Sequence, residues 1–311
     1  MDTNLPVSVG EQTHLRRKKG KTKRRAVIFA LAALVLLSLA AYLLLSGGKL
    51  AGFFENIFSG GTTGAQSQSG AKSGNDIYSF DFSSVPDGCT AVMPVDLTLG
   101  ESETFAAVAL PKNAGRVLVI STRPFESYLE SDATYVESDA EFYGGDCTTG
   151  AVAAYLASKL RTLGVDAEYL ALETSSGVGA YKAAEDAIEK YKKENGVGYV
   201  VDVGRAVAVG DGGEILRPIV QSGDEIVAQT TLIAAKGGKF FDTRAGNAAA
   251  LSEAMNERAE KSAVAVSKDG VRAQNTDAAF ITAQIGACGN TYREAIRAAS
   301  LFAEALAGLI K

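Results

Sequence analysis

The chain opens with a block of charge, crosses an unbroken apolar run, and only much later settles into alternating short apolar segments. Arg16 to Arg25, RRKKGKTKRR, is followed by Ala26 to Leu45 without one charged residue. A run of about twenty apolar residues crosses a hydrocarbon core of roughly 30 Å. The basic flank on its N-terminal side predicts an N-terminus on the cytoplasmic side and everything after the run outside. The run exceeds the 7–15 apolar residues of a cleaved signal peptide, and no clean A-x-A site follows. The reading is therefore a basic cytoplasmic tail over 1–25 and a single transmembrane anchor over 26–45. Residues 46–75 are rich in Gly, Ser, Thr and Gln and read as a flexible linker. Phe53, Phe54, Ile57 and Phe58 interrupt it, either as a helical turn on the membrane surface or as an extension of the anchor. Residues 76–115 form a prelude rich in β and loop signals, with a turn at Pro86-Asp87-Gly88.

From Arg116 the pattern changes to strand–helix alternation. Val117 to Ile120 is a buried strand, stopped by Thr122-Arg123-Pro124 because proline disfavours helix at the residue before it. Val152, Tyr155, Leu156, Leu160 and Leu163 share one helical face, and Gly164 stands at the C′ position. Glu168 to Leu172 is a short strand. Ala180 to Lys193 is a helix with Tyr181, Ala184, Ile188 and Tyr191 on one face, and Tyr199 to Val203 is the next buried strand. Ile215 to Val220 and Glu225 to Ala235 flank Gln221-Ser222-Gly223-Asp224 and predict an edge hairpin. Asn247 to Lys261 reads as a helix and Ala278 to Ile285 as a last core strand. Thr291 and Glu294 form a capping box that opens a helix carrying Ile296, Ala299, Ala303, Leu306 and Ile310. The alternation predicts an α/β domain over 116–311, a mostly parallel sheet flanked by helices, preceded by the single transmembrane helix.

Composition narrows the function. Of 31 Lys and Arg, 8 lie in residues 1–25, with 2 of the 36 Asp and Glu. The remainder carries 23 against 34, a net −11, which argues against nucleic acid as a partner. The basic run reads as a topology signal that touches anionic lipid. Cys89, Cys147 and Cys288 are odd in number, so at most one internal bridge forms; Cys89 with Cys147 and three unpaired thiols both stay open. The one histidine, His14, lies in the cytoplasmic tail. That excludes a serine–histidine pair around Ser121. Gly210 to Gly213 lacks the lysine and following helix of a phosphate loop and reads as a turn.

Candidate chemistry lies where an open α/β sheet places ligands, just beyond the carboxyl ends of its strands. Ser121 to Tyr128 reads STRPFESY there. It resembles the first catalytic motif of the stage II sporulation protein P family, roughly HTHTTESY. These are zinc-dependent N-acetylmuramoyl-L-alanine amidases of the cell wall. Glu126, Ser127 and Tyr128 match, while Ser121 and Arg123 stand at the two histidine positions. The second motif, roughly DVHRD, aligns with Asp202 to Ala206, where Asp202, Val203 and Arg205 match and Gly204 replaces the histidine. The third, roughly IEVGSNGNT, aligns with Gln284 to Thr291, where Gly286, Gly289, Asn290 and Thr291 match and Gln284 replaces the catalytic glutamate. The resemblance covers Arg116 to Lys311.

In that family the resemblance implies zinc, held by histidine and glutamate of the first motif and histidine of the second, with the third-motif glutamate as base. Here the ligands are missing, so no cofactor is expected. A zinc hydrolase needs three protein ligands and an open position for water. A primary amide at position 284 does not titrate near neutral pH. A rebuilt metal site would have to draw on Glu126, Asp146, Cys147 and Cys288. The resemblance implies a pseudoenzyme at the cell membrane, its C-terminal domain extracytoplasmic, binding peptidoglycan or a wall-remodelling partner. The first candidate partner is a membrane-anchored wall lytic enzyme of the engulfment machinery. An active amidase with a rebuilt metal site and a purely structural anchor are the alternatives. Glu126, Asp202, Arg205 and Gln284 either line a glycan- or peptide-binding groove, or Asp202 pairs with Arg205 structurally and Glu126 is merely exposed.

Overall fold

A computed structural model describes residues 82–96, 103–172, 179–237, 240–269, 273–276 and 279–311. All belong to one unit, Thr62–Lys311. The tail, the anchor, the linker and its Phe53–Phe58 cluster lie outside the described residues. Among those described, no helix is long and apolar enough to cross a membrane.

Ten strands and four α-helices follow in order among the described residues: β1 Cys89–Val95, β2 Arg116–Ile120, β3 Tyr135–Glu137, α1 Thr149–Thr162, β4 Ala167–Tyr169, α2 Gly179–Glu194, β5 Val197–Ala206, β6 Ile215–Ser222, β7 Glu225–Ala228, β8 Thr230–Ala235, α3 Phe241–Asn256, β9 Ala263–Lys268, β10 Phe280–Ala287 and α4 Tyr292–Ile310. They build a six-stranded sheet in the order β4-β2-β5-β10-β8-β9 and a four-stranded sheet in the order β3-β1-β6-β7.

The mostly parallel sheet expected from the alternation is instead mixed. β4, β2, β5 and β10 run parallel. β8 is antiparallel to β10, and β9 follows β8. The cause is the hairpin. Its second arm, expected as one strand over Glu225–Ala235, is split at Gln229. β7 pairs back on β6, and β8 crosses into the larger sheet from the opposite end. A short helical crossover, α3, then returns β9 parallel to β8, and β9 itself carries too weak a pattern to stand out in the sequence.

Alternation in the central strands divides the core. Val117, Val119, Val201, Val203, Ile281 and Ile285 join one cluster with α1, α3 and α4, through Leu156, Leu160, Leu251, Phe302 and Leu306. Leu118, Ile120, Val200 and Phe280 form another with Ala184 and Ile188 of α2. So the strands are covered on both faces, which is why β2 reads as a continuous apolar run.

α3 begins six residues earlier than the pattern suggests, and it is buried on nearly all sides. The reason is the prelude. Val108 donates its backbone N–H to the Gly246 carbonyl at 3.2 Å, and Phe105 meets Phe241 edge to face. A Cβ at Gly246 would stand 2.3 Å from the Val108 side chain, so glycine permits this approach. β1, in turn, pairs with β6.

Candidate functional site

β2, β5 and β10 are adjacent and parallel, so their carboxyl ends share one edge of the sheet. Ile120 pairs with Asp202, and Gly204 pairs directly with Gln284. Ser121 follows Ile120 at once. The three aligned motif positions therefore stand on neighbouring strands at that edge.

They do not all face the same way. Asp202, Gly204 and Gln284 follow Val200 and Phe280 toward the α2 side of the sheet. Gln284 is half-buried, its Oε1 covered and without a hydrogen-bond partner. A Cβ at Gly204 meets nothing within 4 Å. Ser121 is fully buried, and its hydroxyl donates to Thr149 Oγ1 on α1 at 3.2 Å. Thr149 passes a bond of 2.5 Å to the Arg123 carbonyl, fixing the turn after β2.

Asp202 and Arg205 do not pair. The Asp202 carboxylate accepts the Thr122 backbone N–H at 2.9 Å and the Thr122 hydroxyl at 2.7 Å. Arg205, three residues on, points to the opposite face and donates to the carbonyls of Phe142 and Ala206. Its Nε has no hydrogen-bond partner, and among the described residues no carboxylate reaches it.

Glu126 is 5% exposed. It is held by Arg123, whose Nη1 donates to Oε1 at 3.2 Å. The Arg123 guanidinium also lies 5.7 Å from the centre of the Tyr181 ring on α2. Burial opposes the charge of Arg123, but Tyr181, Glu126 and Tyr143 outweigh it and raise its pKa. Tyr143 is brought there by an antiparallel bridge to Glu126. Sequence reasoning missed Thr122, Tyr143, Thr149 and Tyr181. Thr122 had a signal in its place inside the motif; the others come from distant elements and had none.

The first and third motifs are joined through their backbones. Leu129 donates to the Asn290 carbonyl and accepts from Tyr292 N–H. Tyr128 donates its hydroxyl to the Ile285 carbonyl at 2.9 Å. Burial pushes that phenol well above its ordinary range, against the nearby Arg205 charge. Tyr128 is thus an anchor for the loop. A cleft of about 340 Å³ lies beside this anchor, lined by Ser127–Glu130 and Ala140–Cys147 among others, and none of Asp202, Gly204 or Gln284 lines it.

These residues do not fit zinc. Of the ligand set that the family resemblance implies, only Glu126 is a metal donor, and it is already paired. Gly204 offers no atom and Ser121 is turned to α1. Among the described residues, no three His, Cys, Asp or Glu side chains group closely enough to hold a metal ion. Cys288 is buried with Val92 and Ile215, and all three cysteines are free thiols. Burial, with Glu130 and Asp146 nearby, pushes the Cys147 thiol up.

No protein-family model matches the chain, and no curated protein matches it. Several solved structures are similar to it. The catalytic domain of the CD27L endolysin targeting Clostridia Difficile is 10% identical, with a TM-score of 0.36, over 63% of this chain and 99% of that one. The CwlD amidase from Clostridioides difficile, in complex with the GerS lipoprotein, is 9% identical with a TM-score of 0.38, over 62% and 96%. The N-acetylmuramyl-L-alanine amidase Ami1 from Mycobacterium abscessus is 9% identical with a TM-score of 0.34, over 62% and 96%. At such scores the likeness decides nothing about this chain.

Proposed function

We propose that the chain is a membrane-anchored, extracytoplasmic protein of the stage II sporulation protein P type, a degenerate amidase that binds peptidoglycan or a wall-remodelling partner without cutting it. The observation that carries this reading is the adjacency of the three motif positions. Aligned on sequence alone, they fall at the carboxyl ends of three neighbouring parallel strands, where such a fold holds ligands. Of the positions that would supply metal or base, only Glu126 is kept, and it is paired with Arg123; the others carry an arginine or serine, a glycine and an amide. The general base alone contributes about 10²–10⁴-fold, and its loss together with the metal leaves activity at background. A membrane-anchored wall lytic enzyme remains the first candidate partner.

The test is co-sedimentation of the purified full chain with isolated wall sacculi, alongside an assay for released stem peptides. Retention on sacculi without release is expected. Chelator-sensitive release would replace this reading with an active amidase on a rebuilt metal site. No retention on sacculi or on wall proteins would leave a purely structural anchor.

A further inference from the structure

The cleft of about 340 Å³ beside the Tyr128 anchor is acidic. Glu130, Glu141 and Asp146 line it, all three exposed, and no lysine or arginine does. The cause is in the chain: Pro124 to Ser158 carries seven carboxylates and no cation. Among the described residues, none of the three lining carboxylates has an ion pair or a side-chain hydrogen bond. Arg205 donates to the carbonyl of Phe142 in the cleft wall and balances at most one of them. Burial first, and then Glu130 and Asp146, raise the pKa of the Cys147 thiol, so two of these charges act on the wall itself.

A second observation is independent of charge. Ser127 is 9% exposed and lines the cleft. Glu126 and Tyr128, on either side of it, turn into the fold, so Ser127 turns the other way, toward the cleft. Its hydroxyl has no hydrogen-bond partner among the described residues, and unlike Arg123 Nε it is not sealed from solvent. Polar groups so nearly covered are ordinarily satisfied.

We propose that this cleft receives a cationic side chain, lysine or arginine, of a partner protein. The carboxylates and the Ser127 hydroxyl supply acceptors, and the head of such a side chain supplies donors alone. Leu129, Val136 and Phe142 offer apolar surface to its alkyl stem. Tyr143, 64% exposed, adds a ring that attracts a cation. A metal ion does not suit the place, because among the described residues no three acidic or thiol side chains group closely enough to hold one. The volume fits an organic group, since clefts from about 300 Å³ upward take one. The net charge of −11 beyond residue 25 draws a basic partner toward the same molecule. The site stands on its own residues and draws on the proposed function only in placing the partner among wall-remodelling proteins.

The experiment is calorimetric titration of the full chain in neutral detergent with Nα-acetyl-lysinamide, Nα-acetyl-argininamide and the uncharged Nα-acetyl-norleucinamide. At least one cation is expected to bind about fivefold or more tightly than norleucinamide, the scale of exposed charge pairs, and the tighter of the two names the side chain. Glu141→Gln with Asp146→Asn should abolish that preference. Glu189→Gln with Glu194→Gln, which removes the same charge from exposed positions of α2, should leave it unchanged. Ser127→Ala should weaken the preferred cation about threefold and norleucinamide not at all. All these variants should keep the thermal unfolding midpoint of the parent, because the carboxylates are exposed and the serine hydroxyl is unpartnered. Equal binding of cation and norleucinamide, a preference that survives the cleft variant, or one lost equally in the α2 variant overturns the proposal. A protein retained on sacculi that shows no cation preference would sink the cleft site alone. Cation binding with no retention on sacculi or wall proteins would sink the wall reading alone.

Discussion

Gly204 and Ser121 occupy corresponding places in two aligned motifs, yet they tolerate change in opposite ways. A side chain at Gly204 enters open space, whereas Ser121 is sealed against Thr149 of α1. Gly204→His should therefore fold, with a stability change of about 1 kcal/mol or less, while Ser121→His overpacks the interface and costs about 1–3 kcal/mol. Thermal unfolding of the two single variants checks the contrast. It also selects the smallest set with a chance of holding zinc. Arg123 faces Glu126 and Ser121 does not, so Arg123→His with Gly204→His and Gln284→Glu is the set to make. Metal content after dialysis should rise in that triple variant and stay at background in Gln284→Glu, because a restored base has no metal to serve. Zinc retained by the unmodified protein would contradict the whole assignment.

At the scale of elements, the third motif acts as a joint. Gly286 holds a left-handed φ of 68°, and a Cβ there would stand 2.6 Å from Asn290 Oδ1, so the strand end bulges only with glycine. Asn290 then ties Ala287, Pro218 and Glu294 together. Glu294 closes the capping box of α4 with Thr291 and also pairs with Arg217 of β6, both charges being almost fully buried. One carboxylate thus links the last helix to the second sheet. Removing Glu294 leaves the nearly buried Arg217 with only the exposed Asp132 as counter-ion, so Glu294→Ala should cost about 3 kcal/mol, the low end for breaking a buried pair. Thr291→Ala loses the cap alone and should cost about 1 kcal/mol. Denaturant midpoints of the two variants measure the gap; a cost for Glu294→Ala no larger than for Thr291→Ala would show that Asp132 alone compensates the Arg217 charge. The matches at Gly286, Asn290 and Thr291 have this structural cause and need no catalytic one.

Across the whole molecule, several tyrosines are held neutral by burial. Tyr128, Tyr169 and Tyr199 are all raised, Tyr199 from 10.0 to about 12. A raised folded pKa means that the folded state keeps protons the unfolded chain gives up. This stability is complete below pH 10 and, for Tyr199, is lost as pH rises from 10 toward 12. Chemical denaturation should therefore show stability falling above pH 10. Tyr199→Phe, which cannot ionise, should be less sensitive to alkali than the parent, and an identical pH profile would exclude Tyr199 as a contributor.

Local pattern was enough for much of this. The apolar runs of β2 and β5, the faces of α1 and α2, and the Thr291–Glu294 box are set by neighbours in the chain, so they could be read from periodicity and capping. So could the meeting of the three motifs, since each sits at the end of a buried strand. The reversal of β8 could not be read, because it depends on which end of the sheet the chain enters after β7. Nor could the early start of α3, which the distant Val108 segment covers. A structural pair of Asp202 and Arg205, one of the two readings left open by the sequence, does not form for a simple reason of geometry: three residues apart on a strand, they stand on opposite faces. Tertiary packing likewise chose the partners, Thr122 for Asp202 and Arg123 for Glu126. Sequence named which residues carry charge; only the folded sheet decided which charges meet.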